Sequence, residues 1–419
     1  MDLNALLNDL KGCSCGKKHE LEIKNVEISS GAINKTSEIL NNLNMGKRLH
    51  IVGDKNTLNA AKGLEDVLKN SGFILSYTVF DDMHCSDIAI CRQIMEESKA
   101  ADSILAVGTG SINDLCRYTA FLSNKPYSVF ATAPSMDGFV SCVSPLIENG
   151  FKRTYNAISP LAVIADSDIL ARSPHELKAA GFGDIIGKYT ALADWRITHL
   201  ITDEYFCSGI CSLVESAVEK VCKIAPMLNN DDPKASEALM EALVLSGLAI
   251  QLCGSSRPAS GAEHHLSHLW EMDFITKGKP AEFHGKKVGI AEVIISDIYK
   301  KAIESGEIKN RKINKINFID KSTLQKVFGN LAEDIIKENT PNPLSILKEE
   351  TLEKQWTEIC KIINKIPDTK TIKNLLTQAG AAFNPKEAHI DDDLVEKGIK
   401  YSCYIRKRIT FLRIINNII

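Results

Sequence analysis

Between residues 21 and 131, short β-branched apolar runs alternate with amphipathic stretches, and this alternation restricts the fold more than any other feature of the chain. Residues 49–54, 73–80, 103–107 and 127–131 read as strands, with helices at 57–70, 87–98 and 113–122 between them. Strands joined by helices of this length form βαβ units and a parallel sheet covered on both faces. A doubly wound nucleotide-binding domain is therefore expected. A further strand-like run, 161–165, follows it, and 166–174 reads as a hinge.

From His175 onwards strand signals fade. Helical periodicity runs through 176–200, 208–224, 234–252, 264–273, 287–302, 323–338 and 347–363, with the prolines in the loops between. The expected organisation is an α/β domain over 1–168 and an all-helical domain over 169–419, since 419 residues exceed what one hydrophobic core usually serves. The closing run, 398–419, mixes Lys400, Arg406, Lys407, Arg408 and Arg413 with apolar residues and reads as a basic amphipathic helix with a solvated face. No internal repeat or low-complexity tract is present.

A net charge of -3 argues against a nucleic-acid partner. No apolar run reaches the roughly 18 residues of a membrane span, and residues 1–18 lack the apolar core of a signal peptide. A cytoplasmic protein without an integral membrane segment is expected. Its 12 cysteines then read as free thiols. Cys13, Cys15 and His19 have the residue types of a metal site. With no second Cys pair at zinc-knuckle spacing, the stretch reads instead as an N-terminal loop or extended segment.

Ligands of such sheets sit at the carboxyl ends of strands. Gly108-Thr109-Gly110-Ser111 lies between a strand and a helix, where glycine lets the backbone approach a pyrophosphate and the helix offers free N–H groups. Asp54, ending another strand, has the chemistry to accept ribose hydroxyls and repel a 2′-phosphate, which favours NAD over NADP; a helix N-cap is the alternative role. Thr132-Ala133-Pro134-Ser135-Met136-Asp137-Gly138 makes a shaped loop after the 127–131 strand.

In the helical half, His264 and His268 are four residues apart and share one helix face, and His284 stands at the start of the next helix. Neutral imidazoles converging on one point suggest a transition-metal site. Asp184 adds a carboxylate behind Gly181 and Gly183, in a helix where each glycine costs about 1 kcal/mol, so something must approach that helix closely. One Asp with two His leaves an open coordination position, the layout of a catalytic site.

Together these motifs resemble the iron-containing alcohol dehydrogenase and glycerol dehydrogenase superfamily, to which dehydroquinate synthase is related. Pro134-Ser-Met-Asp137-Gly138, Ala180-Gly-Phe-Gly-Asp184-Ile-Ile-Gly-Lys188 with Ala193-Asp-Trp195, and Arg257-Pro-Ala-Ser-Gly-Ala-Glu-His264 are most similar to the bacterial branch of its sn-glycerol-1-phosphate dehydrogenases, as is the Cys-x-Cys-Gly start. Thr109 stands where the superfamily often has Gly, and Arg117 where Lys is common.

The resemblance implies a dehydroquinate synthase-like fold and a reversible reduction of dihydroxyacetone phosphate that serves membrane-lipid or polyol-phosphate metabolism. Asp184, His264 and His284 would ligate one divalent ion, zinc or nickel. Asp137, Asp184 and His268 would contact substrate, with Asp137 and His268 catalytic and His268 passing a proton. Asp54, Gly108, Gly110, Ser111, Ile112, Asn113, Asp114, Thr132, Ala133, Pro134, Ser135 and Ser141 would line NAD, or NADP. A homo-oligomer is expected. Arg257, Lys188 and Lys286 are candidates for the substrate phosphate. A glycerol dehydrogenase is the main alternative; a dehydroquinate synthase is disfavoured because those relatives usually carry Glu in place of Asp184.

Overall fold

The computed structural model describes residues 1–148, 151–280, 282–313, 320–348 and 350–418. Six strands, β1 (Asn25–Ser29), β2 (Arg48–Asp54), β3 (Ile74–Phe80), β4 (Ser103–Gly108), β5 (Tyr127–Ala131) and β8 (Ala162–Asp166), form one parallel sheet in the order β1-β8-β5-β4-β2-β3. Every residue of β4, β5 and β8 is buried, as continuous apolar runs covered by helices on both faces require. β3 is an exposed edge, with Ile74 and Val79 facing solvent. The chain leaves β2 for β3 on one side and returns to β4 on the other, so the order reverses at β2 and opens a crevice beyond Asp54 and Gly108.

An antiparallel hairpin, β6 (Val143–Glu148) and β7 (Phe151–Asn156), stands apart from the sheet. Neither it nor β1 was foreseen from periodicity. After β8 every regular element among the described residues is helical. The helix Pro233–Cys253 is long and apolar enough to cross a membrane, yet 67% of its most apolar window is buried within the fold. It packs with Leu6, Leu10, strand residues Val52 and Val129, and Trp195 in one apolar cluster, so sheet and helices share a core.

Glycine accounts for most differences from the expected helices. The 57–70 stretch is two helices, Lys55–Ala60 and Leu64–Asn70, broken at Gly63 with φ 100°. The 176–200 stretch divides at Gly187 into His175–Ile186 and Lys188–Thr202, and the 323–338 stretch divides at Gly329. The expected hinge holds a short helix, Ser167–Ala171.

The expected basic amphipathic helix at the C-terminus does not form. That segment comprises the end of Asp392–Tyr401 and a short helix, Phe411–Ile415. Lys400, Arg406 and Lys407 are exposed, but two of its cations are internal ties: buried Arg413 donates to Asn339 Oδ1 and to the carbonyls of Cys403 and Arg406, and Arg408 donates to Ser260 O and Ser256 Oγ. Guanidiniums spend their donors on backbone oxygens that a folded interior would otherwise leave unpaired. Glu349 and Ile419, which the expected helices at 347–363 and 398–419 included, lie outside the described residues.

Candidate metal and cofactor site

Three helices meet beneath the loop that follows β5. Asp184 comes from His175–Ile186, His264 from Ala262–Thr276, and His284 from the first turn of His284–Ser305. Close approach requires glycine on both sides: a Cβ at Gly181 would stand 2.0 Å from Pro134 O, and one at Gly183 would stand 2.4 Å from Gly285 O. The costly helical glycines thus admit the β5 loop and the His284 helix to the backbone beside Asp184.

One donor atom from each of Asp184, His264 and His284 lies within 4.8 Å of the others. His264 Nε2 is 3.6 Å from Asp184 Oδ1, near the ~3.3 Å edge made by two donors bound to a tetrahedral zinc. His264 Nδ1 faces Glu263 Oε1 at 2.7 Å, and this carboxylate also accepts from Gly261 N. Such a partner fixes the ring and leaves Nε2 for a metal. Behind Glu263 stand Thr190 and Glu292, whose carboxyl is pushed well up by burial and by the Glu263 charge. The donor set fits a divalent ion with one side left open.

Lys188, one turn after Asp184, is fully buried between Asp184 Oδ1 at 2.8 Å and Asp137 Oδ2 at 2.7 Å. Burial alone would raise the Asp184 carboxyl; the Lys188 ammonium instead holds it well below the usual carboxylate range. Asp184 Oδ2 accepts from Asp137 N at 2.9 Å, and Asp137 Oδ2 accepts from Ser246 Oγ at 2.9 Å. The β5 loop is thereby tied to the ligand carboxylate. Burial keeps His284 neutral, the form that binds metals, with His264 and His268 adding to the effect.

His268 is partly exposed, 3.6 Å from Glu271 Oε2, and burial pushes its imidazole down to about 4 against the pull of Glu271. Its ring centre is 6.1 Å from that of His264 and 5.6 Å from that of His284. Glu271 also collects Lys152 at 2.9 Å, delivered by β7, and Lys287 at 3.3 Å. The buried Lys287 ammonium makes this ion pair but no hydrogen bond. Arg257 lies elsewhere: it grips Glu204 through Nε at 2.6 Å and Nη2 at 2.5 Å and donates to Ile409 O. Lys286 pairs with Glu282.

At the sheet, Gly108 ends β4, and the helix Gly110–Ser123 begins with Thr109 as N-cap and no side-chain cap, so its first N–H groups face the crevice. Ile112 is buried, Asn113 donates to Gly138 O and Phe139 O, and Asp114 is paired with Arg117. Burial raises the Asp114 carboxyl to about 6, against Arg117 and Lys152. These side chains serve the fold, and Asn113 N bonds to Thr109 O, which leaves the N–H groups of the first turn, Gly110 to Ile112, for a ligand. Thr132 N bonds to Gly108 O, which joins the β5 loop to the glycine turn, with Ala133, Pro134 and Ser135 next along it. Ser141 Oγ is engaged with Val143. Asp54 caps Lys55–Ala60 in a reciprocal box with Thr57, and its other oxygen accepts from Met83 N. The N-cap role is thus filled.

Sequence reasoning missed Glu263, Ser246, Glu271, Lys152 and Lys287, and weighed Lys188 only as a phosphate ligand. The four-residue step from Asp184 to Lys188 was a usable signal for their pairing; nothing local marked Ser246 or Lys152.

Residues 27–174 match the sequence profile of the iron-containing alcohol dehydrogenase family. A glycerol-1-phosphate dehydrogenase (NAD(P)+) of Halalkalibacterium halodurans is 33% identical over 99% of this chain and 98% of its own. The chain belongs to this family. A second member, from Geobacillus stearothermophilus, is 31% identical over all of this chain and 98% of its own. Among solved structures, sulfoacetaldehyde reductase from Bifidobacterium kashiwanohense in complex with NAD+ superposes with a TM-score of 0.61 at 16% identity, covering 96% of this chain and 98% of that one, a likeness of fold.

Proposed function

We propose that this protein is a metal-dependent, NAD(P)-dependent oxidoreductase that interconverts dihydroxyacetone phosphate and sn-glycerol 1-phosphate by hydride transfer. The convergence of Asp184, His264 and His284 on one point, tied through Asp137 to the loop beside the glycine turn, carries this reading in a chain 33% identical to a glycerol-1-phosphate dehydrogenase over nearly its full length. When bound, the metal supplies Lewis-acid polarisation of a carbonyl and the nicotinamide supplies hydride.

This chain's residues bind, orient and move protons. Asp184, His264 and His284 hold one ion, zinc or nickel. Lys188 pairs with Asp137 and keeps Asp184 ionised, and Asp137, on the loop so fixed, contacts the substrate. His268, partly exposed and free of a close hydrogen bond, passes a proton to or from the C2 oxygen. Gly108, Gly110, Ser111 and Ile112 offer their backbone to the pyrophosphate, Asn113 and Asp114 stand behind them in the same helix, Thr132 to Ser135 and Ser141 line the nicotinamide side, and Asp54 disfavours a 2′-phosphate. Of the nearby cations, Lys287 and Lys152 best suit the substrate phosphate: Lys287 lacks a hydrogen bond, whereas Arg257 is saturated by Glu204 and Ile409. The domain boundary in this reading is at residue 168, within the short helix Ser167–Ala171 that follows β8. A homo-oligomer working in the cytoplasm completes the reading.

The test follows NADH absorbance with protein loaded in turn with zinc and nickel and given sn-glycerol 1-phosphate, sn-glycerol 3-phosphate or glycerol. Turnover of the 1-phosphate alone is expected. Turnover of glycerol alone would make this a glycerol dehydrogenase, and silence with all three would refute the oxidoreductase reading.

A further inference from the structure

Far along the sequence from the first two, a third cysteine completes a cluster at the N-terminus. Cys13, Cys15 and His19 fold onto Cys207, and the four donor atoms lie within 4.8 Å of one another. Cys13 Sγ is 3.3 Å from Cys207 Sγ, Cys15 Sγ is 3.3 Å from His19 Nε2, and Cys207 Sγ is 3.7 Å from the same nitrogen. Thiolate and imidazole ligands of a tetrahedral zinc stand about 3.5–3.8 Å apart, so modest breathing admits an ion. The stretch is a loop, as its sequence leads one to expect, and its fourth donor, 194 residues from Cys13, reaches it only through the fold.

The surroundings orient the donors. His19 Nδ1 meets Leu252 O at 3.0 Å, so the proton resides there and the Nε2 lone pair faces the cysteines. Tyr205 OH donates to Cys15 Sγ at 3.3 Å, and Ile210 N donates to Cys207 Sγ at 3.5 Å from the first turn of the helix Ser208–Ile224. Both bonds favour thiolate over thiol. Gly16, with φ 80°, turns the chain between Cys15 and Lys17. Lys17 then reaches Cys253 O at 3.2 Å and lies over the Tyr205 ring at 3.8 Å, placing a positive charge beside a cluster that would carry net negative charge with three thiolates and a divalent ion.

We propose that Cys13, Cys15, His19 and Cys207 form a second metal site, a closed Cys3His site for zinc that fastens the N-terminal segment to the helical half. Four protein ligands leave no position for substrate, so the ion is structural, and soft thiolates select zinc over the hard cations. Each thiol that binds releases its proton to solvent, and no redox step is involved.

The experiment uses the full chain bearing Asp184→Asn and His264→Ala, which disables the site described above. After dialysis this protein is expected to retain one zinc per chain. Grown with cobalt, it should show a thiolate-to-cobalt charge-transfer band that disappears on adding Cys13→Ser and Cys15→Ser. Conversely, Cys13→Ser/Cys15→Ser in the otherwise natural chain should lose one metal per chain and keep the other. A double variant with neither zinc nor the band, or a Cys13–Cys207 disulfide in freshly prepared protein, would overturn the proposal. If the serine variants fail to fold, the cobalt band of the Asp184/His264 variant decides alone. None of these readouts depends on turnover, so the result stands apart from the assigned reaction.

Discussion

Replacing Gly285 by alanine should empty the Asp184/His264/His284 site while leaving the protein folded. A Cβ there would lie 1.9 Å from Ala180 O, 2.6 Å from Ala180 C and 3.1 Å from Asp184 Cβ, and real Cβ atoms essentially never approach closer than 3.0 Å. The two helices must therefore part by roughly 1 Å, the shortfall at the Ala180 carbonyl. Asp184 rides on one of these helices and His284 on the other, one residue before the substitution. A metal tolerates about 0.2 Å in each bond. Overpacking itself costs about 1–3 kcal/mol, and a misplacement near 1 Å costs about 10²-fold in rate. The assay measures bound metal after dialysis against a weak chelator, kcat/KM and thermal unfolding. Ile359→Ala in the helix Thr351–Asn364, which meets the His284 helix at its far end through Lys300 and Ile363 O, serves as comparison, with a larger stability loss of about 2–5 kcal/mol but metal retained. If Gly285→Ala kept full metal and activity within about threefold, the argument from helix approach would be wrong.

Four other outcomes follow from the same geometry. Glu263→Gln should weaken metal binding about 10–100-fold without removing a ligand, read by competition with a chromogenic chelator; unchanged affinity would deny Glu263 its orienting role. Lys287→Ala should raise KM for dihydroxyacetone phosphate roughly tenfold or more and leave that for unphosphorylated dihydroxyacetone unchanged; equal effects on both would exclude phosphate contact. Asp54→Ala should shift the ratio of kcat/KM towards NADP, and an unaltered ratio would leave Asp54 as a helix cap only. Asp102 accepts from Arg48 and the N–H groups of Lys47 and Arg48, which together hold its carboxyl at about 2. Its contribution to stability is therefore present above about pH 4 and lost as pH falls towards 2, so Asp102→Asn should lower the melting temperature at neutral pH, flatten that limb of the melting-temperature profile and change little near pH 2.

The parts legible in the sequence were those written in local periodicity or in glycine. β2, β4, β5 and β8 were read close to their ends because a parallel strand buried on both faces is a continuous apolar run. Asp184 was recognisable because two glycines in a good helix demand an approaching neighbour, which proved to be Pro134 O and Gly285 O. What escaped was non-local. The β6–β7 hairpin carries mixed residues with no clean alternation, and its Lys152 reaches the site only through the fold. The C-terminal cations gave a solvated-face pattern on paper, but the tertiary structure turned Arg408 and Arg413 inward to pair carbonyls.

The helix Pro233–Cys253 explains why the site needs both halves of the chain. Ser246 Oγ donates to Asp137, and a Cβ on Gly247 would meet Asp137 O at 2.7 Å, so this helix presses directly on the loop after β5. One turn on, Gln251 donates to Val140 O and Ser159 Oγ, clamping the far end of that loop. Leu252 O then receives His19, so the last turn of the same helix is also the floor of the cysteine cluster. Most of its exterior is spent on neighbours: apolar side chains on the shared core, small residues where backbones touch, and terminal polar groups on the N-terminal loop. A helix used this way must be long and nearly uncharged, which is why its composition alone resembles a membrane span while its burial does not.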